Sequence, residues 1–274
     1  MSSLVFIGGG NMATALVGGV LARGRGAADI AIVEPLAAQR ATLAARFPGL
    51  RCVGDAAQAI WDDATLVVLA VKPQQAREAV AALAGTIHAV PALLSIVAGV
   101  RAADLARWLG NYTRIVRAMP NTPALVGAGV SGVYVSPGVP NVGRAAAMEV
   151  LGAAGAIVEC PREAMLDAVT GVSGSGPAYV FYFLEGLVEA ALELGFAEGD
   201  ARKLAYATFT GAMRLADDSP AEPATLRAQV TSKGGTTERA LEALERGDVK
   251  RRFIDAVKAA AARARELGDA AGRD

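Results

Sequence analysis

The first half of the chain alternates short apolar runs with alanine-rich stretches of helical spacing. Leu4–Ile7, Ile30–Val33, Leu66–Ala70, Ala92–Val97 and Ile115–Met119 are rich in Val, Ile and Leu. Runs apolar almost throughout fit strands buried on both faces. Between them, stretches such as Ala13–Arg23 and Leu36–Phe47 carry apolar residues three and four apart. This rhythm predicts βαβ units in a parallel, doubly wound sheet. Gly132–Val135 and Ala156–Glu159, with a short helix around Arg144–Leu151 between them, extend that sheet.

After Cys160-Pro161 the period changes. Ala164–Thr170, Ala178–Leu194, Gly199–Asp217, Leu226–Val230, Thr237–Arg246 and Val249–Leu267 all read as helices, and no strand stands out. The predicted fold class is therefore α/β, a Rossmann-type doubly wound sheet in residues 1–160 followed by an all-helical domain in residues 161–274. No fixed period marks a repeat architecture.

Composition narrows the function classes. With 274 residues, 53% of them hydrophobic, the chain can bury a sizeable core. Lys+Arg and Asp+Glu balance at 27 each, and no basic stretch offers a footprint for nucleic acid or an anionic membrane. No uninterrupted apolar run reaches the ~18 residues of a membrane span. Leu4–Ile7 passes straight into glycines, so no signal peptide is read there. Cys52 and Cys160 lie far apart without metal spacing, as free thiols of a cytoplasmic protein would.

The first chemical motif is Gly8-Gly9-Gly10-Asn11-Met12-Ala13, which follows a predicted strand and opens a predicted helix. It fits G-x-G-x-x-A: Gly8 for the tight turn, Gly10 for approach of a pyrophosphate, Ala13 for close packing of helix on strand. The helix N-terminus, with Asn11 and Met12 in its first turn, adds free N–H groups and a positive dipole. Glu34 ends the second strand, where an acidic residue hydrogen-bonds the ribose hydroxyls of a dinucleotide and repels a 2′-phosphate. A plain solvated charge is the other reading of Glu34. Further loops follow later strands: Ala70-Val71-Lys72-Pro73, Ala98-Gly99 and Arg117–Pro123. Pro73 suits a first helical position and Lys72 would aim a cation at the cleft. Met119 and Asn121, on a loop stiffened by two prolines, would face a flat ring, although Met119 by itself also suits a core.

Two motifs stand in the helical part. Gly171-Val172-Ser173-Gly174-Ser175-Gly176 precedes a long apolar helix and would present donors at its N-terminus. Ser232-Lys233-Gly234-Gly235-Thr236-Thr237 precedes another, and successive N–H groups around two glycines make an anion nest suited to a small carboxylate. A threonine N-cap preceded by glycines is the structural alternative. The single histidine, His88, falls in a predicted loop, so histidine-based catalysis and a histidine metal centre are not supported. A nicotinamide cofactor would carry the chemistry without either.

Taken in order, these segments resemble the pyrroline-5-carboxylate reductases, and the resemblance runs over essentially the whole chain. It implies an N-terminal domain binding NADPH or NADH and a helical domain forming an intertwined homodimer, in many members assembled five-fold into a decamer. It implies reduction of the small-molecule substrate 1-pyrroline-5-carboxylate to L-proline, the last step of proline synthesis. Thr237 and Ser232 match the family's reactive loop, Thr237 at the ring nitrogen and Ser232 in the carboxylate cradle. Ser175, Gly234, Gly235 and Thr236 match substrate-binding positions. That loop is expected to come from the partner subunit. The chain departs from the family pattern at Lys233, where proline is usual, at Glu34-Pro35, which disfavours NADPH, and at Arg227-Ala228. A reductase of a related cyclic imine and a non-catalytic nucleotide sensor are the competing readings. A β-hydroxyacid dehydrogenase would carry a catalytic lysine on the helix Ala178–Leu194, which has none.

Overall fold

The computed structural model describes residues 3–59, 61 and 63–272. The chain divides into two compact units, one running to Ser175 and taking back Ala259–Asp274, the other spanning Gly176–Lys258. Arg273 and Asp274, included in the expected helical domain, lie outside the described residues.

The first unit runs β1 (Ser3–Ile7), α1 (Asn11–Ala22), β2 (Ile30–Val33), α2 (Ala37–Arg46), β3 (Arg51–Val53), β4 (Ala64–Leu69), α3 (Ala76–Ala81), β5 (Ala92–Ser95), α4 (Ala102–Trp108), β6 (Ile115–Met119), β7 (Gly129–Val135), α5 (Asn141–Gly152), β8 (Gly155–Glu159) and α6 (Met165–Val169). The strands form one sheet in the order β3-β2-β1-β4-β5-β6-β7-β8. All neighbours are parallel except β6 and β7. The doubly wound sheet is thus as predicted. β3 is the strand the pattern does not reveal: three residues of mixed character at the sheet edge, with one side chain exposed and two half-buried.

Alternate residues of β1 explain the continuous apolar runs. Leu4 and Phe6 enter one core layer with Leu16 and Val17 of α1, Ile32 and Val68. Val5 and Ile7 enter the other with Val80, Leu83, Leu93 and Leu105. A strand with helices on both faces has no face to leave polar.

The expected boundary at 160/161 differs from the division between the compact units. Residues 161–175 pack with the sheet because α6 lies against β6 and β7. The approach is close: a Cβ on Gly132 of β7 would come within 2.6 Å of the Val169 methyl groups. Leu166 is buried there as well.

The second unit contains α7 (Gly176–Glu193), α8 (Glu198–Asp217), α9 (Pro223–Gln229), α10 (Thr236–Arg246) and the first turns of α11 (Val249–Ala271). α7 pairs with α8, and Phe253 meets Tyr179 and Phe183 edge-on. Yet no residue of α7, α9 or α10 is buried, and α8 buries only Ala201 and Ala205. Phe181, Tyr182 and Leu194 are 62%, 71% and 80% exposed. Each large apolar side chain left in water forgoes about 1.5–3 kcal/mol. A handful of them matches the whole stability of a typical domain, about 5–15 kcal/mol. A surface of this kind marks an interface.

Tyr112 ties the start of β6 to the core and offers a stability test. It is 1% exposed, its hydroxyl donates to the Val90 carbonyl at 3.0 Å, and burial pushes its pKa up to about 12 against the pull of Arg114. The neutral phenol is the form the fold holds. Its contribution is complete below the ordinary tyrosine pKa of about 10 and is lost as pH rises through the folded value. Urea unfolding at a series of pH values should show stability falling across that window, and Tyr112→Phe should flatten the fall.

Candidate active site

β1 stands between β2 and β4, where the strand order reverses, so the crevice beyond its carboxyl end is the place for a ligand. Gly8 occupies that end with φ +95°, and a Cβ there would stand 2.8 Å from the Ala70 oxygen and 3.0 Å from Val71. Its N–H donates to Val33 O, and Ala70 N–H donates to Ile7 O, each at 2.8 Å. Three strand ends therefore meet backbone to backbone. Gly9 lies under α2, where a Cβ would come within 2.6 Å of Leu43. Its N–H donates to Glu34 Oε2 at 3.0 Å, and its carbonyl accepts from Gln39 Nε2 at 2.6 Å.

Gly10 is different. It is the N-cap of α1, and beyond its own chain neighbours no atom of the described residues lies within 4 Å of where its Cβ would be. No side chain caps this helix and no acidic residue sits in its first turn. The first-turn N–H groups, those of Asn11 and Met12 among them, have no intrahelical partners and open onto space that a Cβ would fill. The residues present thus suit a pyrophosphate.

Glu34 is not a plain solvated charge. It is only 8% exposed, its Oε2 accepts from Gly9 and its Oε1 accepts from Leu36 N–H at 2.9 Å. Two charge-assisted bonds of about 1.5–3 kcal/mol each offset its removal from water. The carboxylate is committed to holding the glycine turn. Beside it, Arg40 Nη1 donates to the carbonyls of Glu34 and Pro35, each at 2.8 Å.

Pro73 begins a single 3₁₀ turn with Lys72 as its N-cap residue, in keeping with the helical position expected for it. Lys72 is exposed and makes no ion pair among the described residues. Pro73, Ala98, Gly99 and Met119 line one cavity of about 680 Å³. Arg117 also lines it, and its Nη1 lies 2.7 Å from Glu163 Oε1, which accepts the Ala102 N–H as well. One carboxylate oxygen thus ties β6, the start of α4 and the approach to α6.

Asn121 does not face open space for a ring. It is 8% exposed, its Oδ1 accepts from Val130 N–H at 2.9 Å and its Nδ2 donates to Ser173 O at 3.1 Å. One end of the amide closes the loop between β6 and β7, and the other ties that loop to the turn after α6. The Gly171–Gly176 segment is not a turn presenting donors either. Thr170–Gly174 is a π-helical turn continuing α6, in which Ser173 Oγ donates to Val169 O and Ser175 N–H donates to Thr170 O. Gly174 serves close packing, since its Cβ would stand 2.9 Å from Met119 Cε. His88 is exposed, with Nε2 3.1 Å from the Leu109 carbonyl.

In the second unit, Gly235 and not a threonine is the N-cap of α10, with no side-chain cap. Gly234 has φ +72°, and its N–H donates to Glu238 Oε2 at 2.6 Å. The turn thus already holds one carboxylate oxygen. Thr236 and Thr237 open the helix, and Thr237 is half-buried.

Sequence reasoning assigns no role to Gln39, Arg117, Glu163 or Glu238. Gln39 meets a residue 30 positions away and Arg117 one 46 positions away, so no local spacing marks them. Glu238 had a signal, its place three residues after a helix cap, where a carboxylate reaches back to the cap backbone. Among the described residues no group of three or more His, Cys, Asp and Glu is placed to hold a metal ion.

Comparison with known proteins places this geometry. The chain is 40% identical over 270 residues to the pyrroline-5-carboxylate reductase of Pseudomonas aeruginosa, covering 98% of each chain. It belongs to the pyrroline-5-carboxylate reductase family. The family's dimerisation model matches residues 163–267, and a model described as NADP oxidoreductase coenzyme F420-dependent matches residues 3–99. A solved pyrroline-5-carboxylate reductase from Coxiella burnetii superposes with a TM-score of 0.91 at 36% identity, covering 97% of this chain and 98% of that one. The Plasmodium falciparum enzyme, solved with NADP bound, superposes at 0.85 with 26% identity over 97% of this chain and 98% of that one.

The contrast between two glycines yields a test. Gly8→Ala should destabilise the fold by about 1–3 kcal/mol, because a non-glycine residue is forced into a sparsely populated region and against Ala70. Gly10→Ala should leave the thermal midpoint near wild type yet weaken NADPH binding about tenfold or more, read by fluorescence titration.

Proposed function

We propose that the chain reduces 1-pyrroline-5-carboxylate to L-proline with a reduced nicotinamide dinucleotide, the final step of proline biosynthesis. The observation that carries this reading is the full-length likeness to curated reductases, on a chain that keeps both an uncapped helix N-terminus at Gly10 and a glycine turn at Gly234-Gly235.

When bound, the reduced nicotinamide would supply the hydride that forms a new C–H bond at the ring C=N carbon, the π electrons of that bond passing to nitrogen. The chain's own residues bind and orient. The amides of Asn11 and Met12 at the start of α1 receive the pyrophosphate, and Gly8 and Ala70–Pro73 shape the crevice around it. Ala98, Gly99 and Met119 wall the cavity for the ring. Gly234, Gly235 and Thr236, with Ser232, cradle the substrate carboxylate, and the Thr237 hydroxyl hydrogen-bonds the ring nitrogen. An imine already protonated at nitrogen requires no histidine acid, and the nitrogen lone pair that appears as hydride arrives is what a hydroxyl donor stabilises.

Both cofactors fit this reading. Glu34 is turned inward upon Gly9 and Leu36, so it does not present its charge to a 2′-phosphate. We further propose residues 1–160 as the cofactor domain and 161–274 as the dimerisation and substrate domain. Unburied α7 supports the dimer, and assembly of five dimers into a decamer is the finer form of the proposal. A cytoplasmic enzyme accords with the two free cysteines and with the lack, among the described residues, of a helix long and apolar enough to cross a membrane.

Turnover of NADPH or NADH in the presence of the pyrroline carboxylate tests the reading, and absence of turnover with both would overturn it. Thr237→Ala should lower kcat about 100-fold with the fold intact, by analogy with loss of one oxyanion-hole donor. For the cofactor, Glu34→Gln should weaken NADH and NADPH together, since it loosens the turn both share. A ratio of the two kcat/KM values shifted about tenfold or more would instead make Glu34 a ribose discriminator.

A further inference from the structure

We infer that the last turns of α11 are a positioning element of the cofactor site, held against the Ala98-Gly99 loop by a latch on Arg101. The inference rests on the reductase reading, which assigns that loop to the nicotinamide.

α11 is a single helix of 23 residues, and from Ala259 onward it belongs to the first unit. Ala264 and Gly268 are its buried residues. The contact is glycine on glycine. Gly99 has φ +77°, and a Cβ there would stand 3.6 Å from Gly268 N. A Cβ on Gly268 would stand 3.3 Å from Gly99 O and 3.2 Å from Arg101 Nη2. The loop backbone therefore lies directly against the helix backbone.

Charges fasten the contact from one side. Arg101 Nη2 donates to Asp269 Oδ1 at 2.6 Å and lies 3.9 Å from Asp167 Oδ2 of α6. Arg107 Nη2 donates to the Gly272 carbonyl at 3.2 Å and pairs with Asp104 at 3.2 Å. Ala264, Leu267 and Ala271 then line the same 680 Å³ cavity as Pro73, Ala98, Gly99 and Met119. A loop beyond a strand's end is placed by whatever packs on it, and here that is a helix from the far end of the chain.

The latch can be separated from simple stabilisation. Asp269 is 54% exposed, and exposed ion pairs add little to stability. Ala98 and Gly99 line the cavity assigned to the cofactor, so a shift of the loop by about a few tenths of an ångström should be felt in cofactor binding first. Gly268→Ala forces such a shift on Gly99 O. We expect Gly268→Ala and Asp269→Asn to weaken NADPH binding by about five- to tenfold in fluorescence titration. The thermal midpoint and the KM for the pyrroline carboxylate should stay near wild type, and Asp269→Glu should restore binding. Wild-type affinity for NADPH in both folded variants overturns the latch, as does a loss that simply tracks the thermal midpoint. Should Gly268→Ala not fold, Asp269→Asn and Arg101→Gln carry the test. NADPH binding is read without turnover, so a wild type that binds but does not reduce the imine counts against the reductase reading and leaves the latch measurable.

Discussion

The first unit depends on an approach of main chains that no side chain permits. At the reversal of strand order, Gly8 comes so close to Ala70 that a single methylene would sit 2.8 Å from the carbonyl oxygen. Because β1, β2 and β4 all end there, their terminal amides and carbonyls satisfy one another across the gap. The crevice for a dinucleotide is the space just beyond. Its floor is backbone, which is why a Cβ has no room at Gly8 and ample room at Gly10.

The same economy governs the charges near the crevice. A helix start normally gains about 1 kcal/mol from a capping side chain, and α1 forgoes it. The missing cap is what leaves its N–H groups for a ligand. The carboxylate that might have filled the role, Glu34, is spent one residue earlier on Gly9. Arg117 and Glu163 show the complementary pattern, a largely buried pair whose second acceptor bond, from Ala102 N–H, locks the loop that follows β5. In each case a charge near the site fixes backbone, and the positions left open to a ligand are amides and glycines.

The second unit poses a different problem. α7 is apolar along its length but finds little within one chain to pack against, and α8 buries only two alanines. Unsatisfied apolar surface on that scale is not compensated by exposed ion pairs such as Arg251–Asp255, each worth at most about 1 kcal/mol. The family's dimerisation model covers this part of the chain, residues 163–267, and apolar surface of this kind is what an interface between copies removes from water.

Much of this was legible in the order of residues. Continuous Val, Ile and Leu runs separated by helical stretches specify a parallel sheet covered on both faces, since only such strands have no polar face. Gly8 and Gly10 between a strand and a helix specify a phosphate turn, and the change of period after Pro161 specifies helices. These are local patterns, and local pattern survives without coordinates. Tertiary structure alone decided where each polar group spends its hydrogen bonds. Glu34 could be a solvated charge until Gly9 and Leu36 are seen to hold it, Asn121 reads as a ring contact until Val130 and Ser173 claim its amide, and Ser173 reads as a free donor until Val169 accepts from it. Likewise nothing in the spacing brings Asp269 to Arg101, 168 residues apart. Periodicity records which face of an element is buried, whereas the partner of a buried polar atom depends on which distant segment arrives beside it.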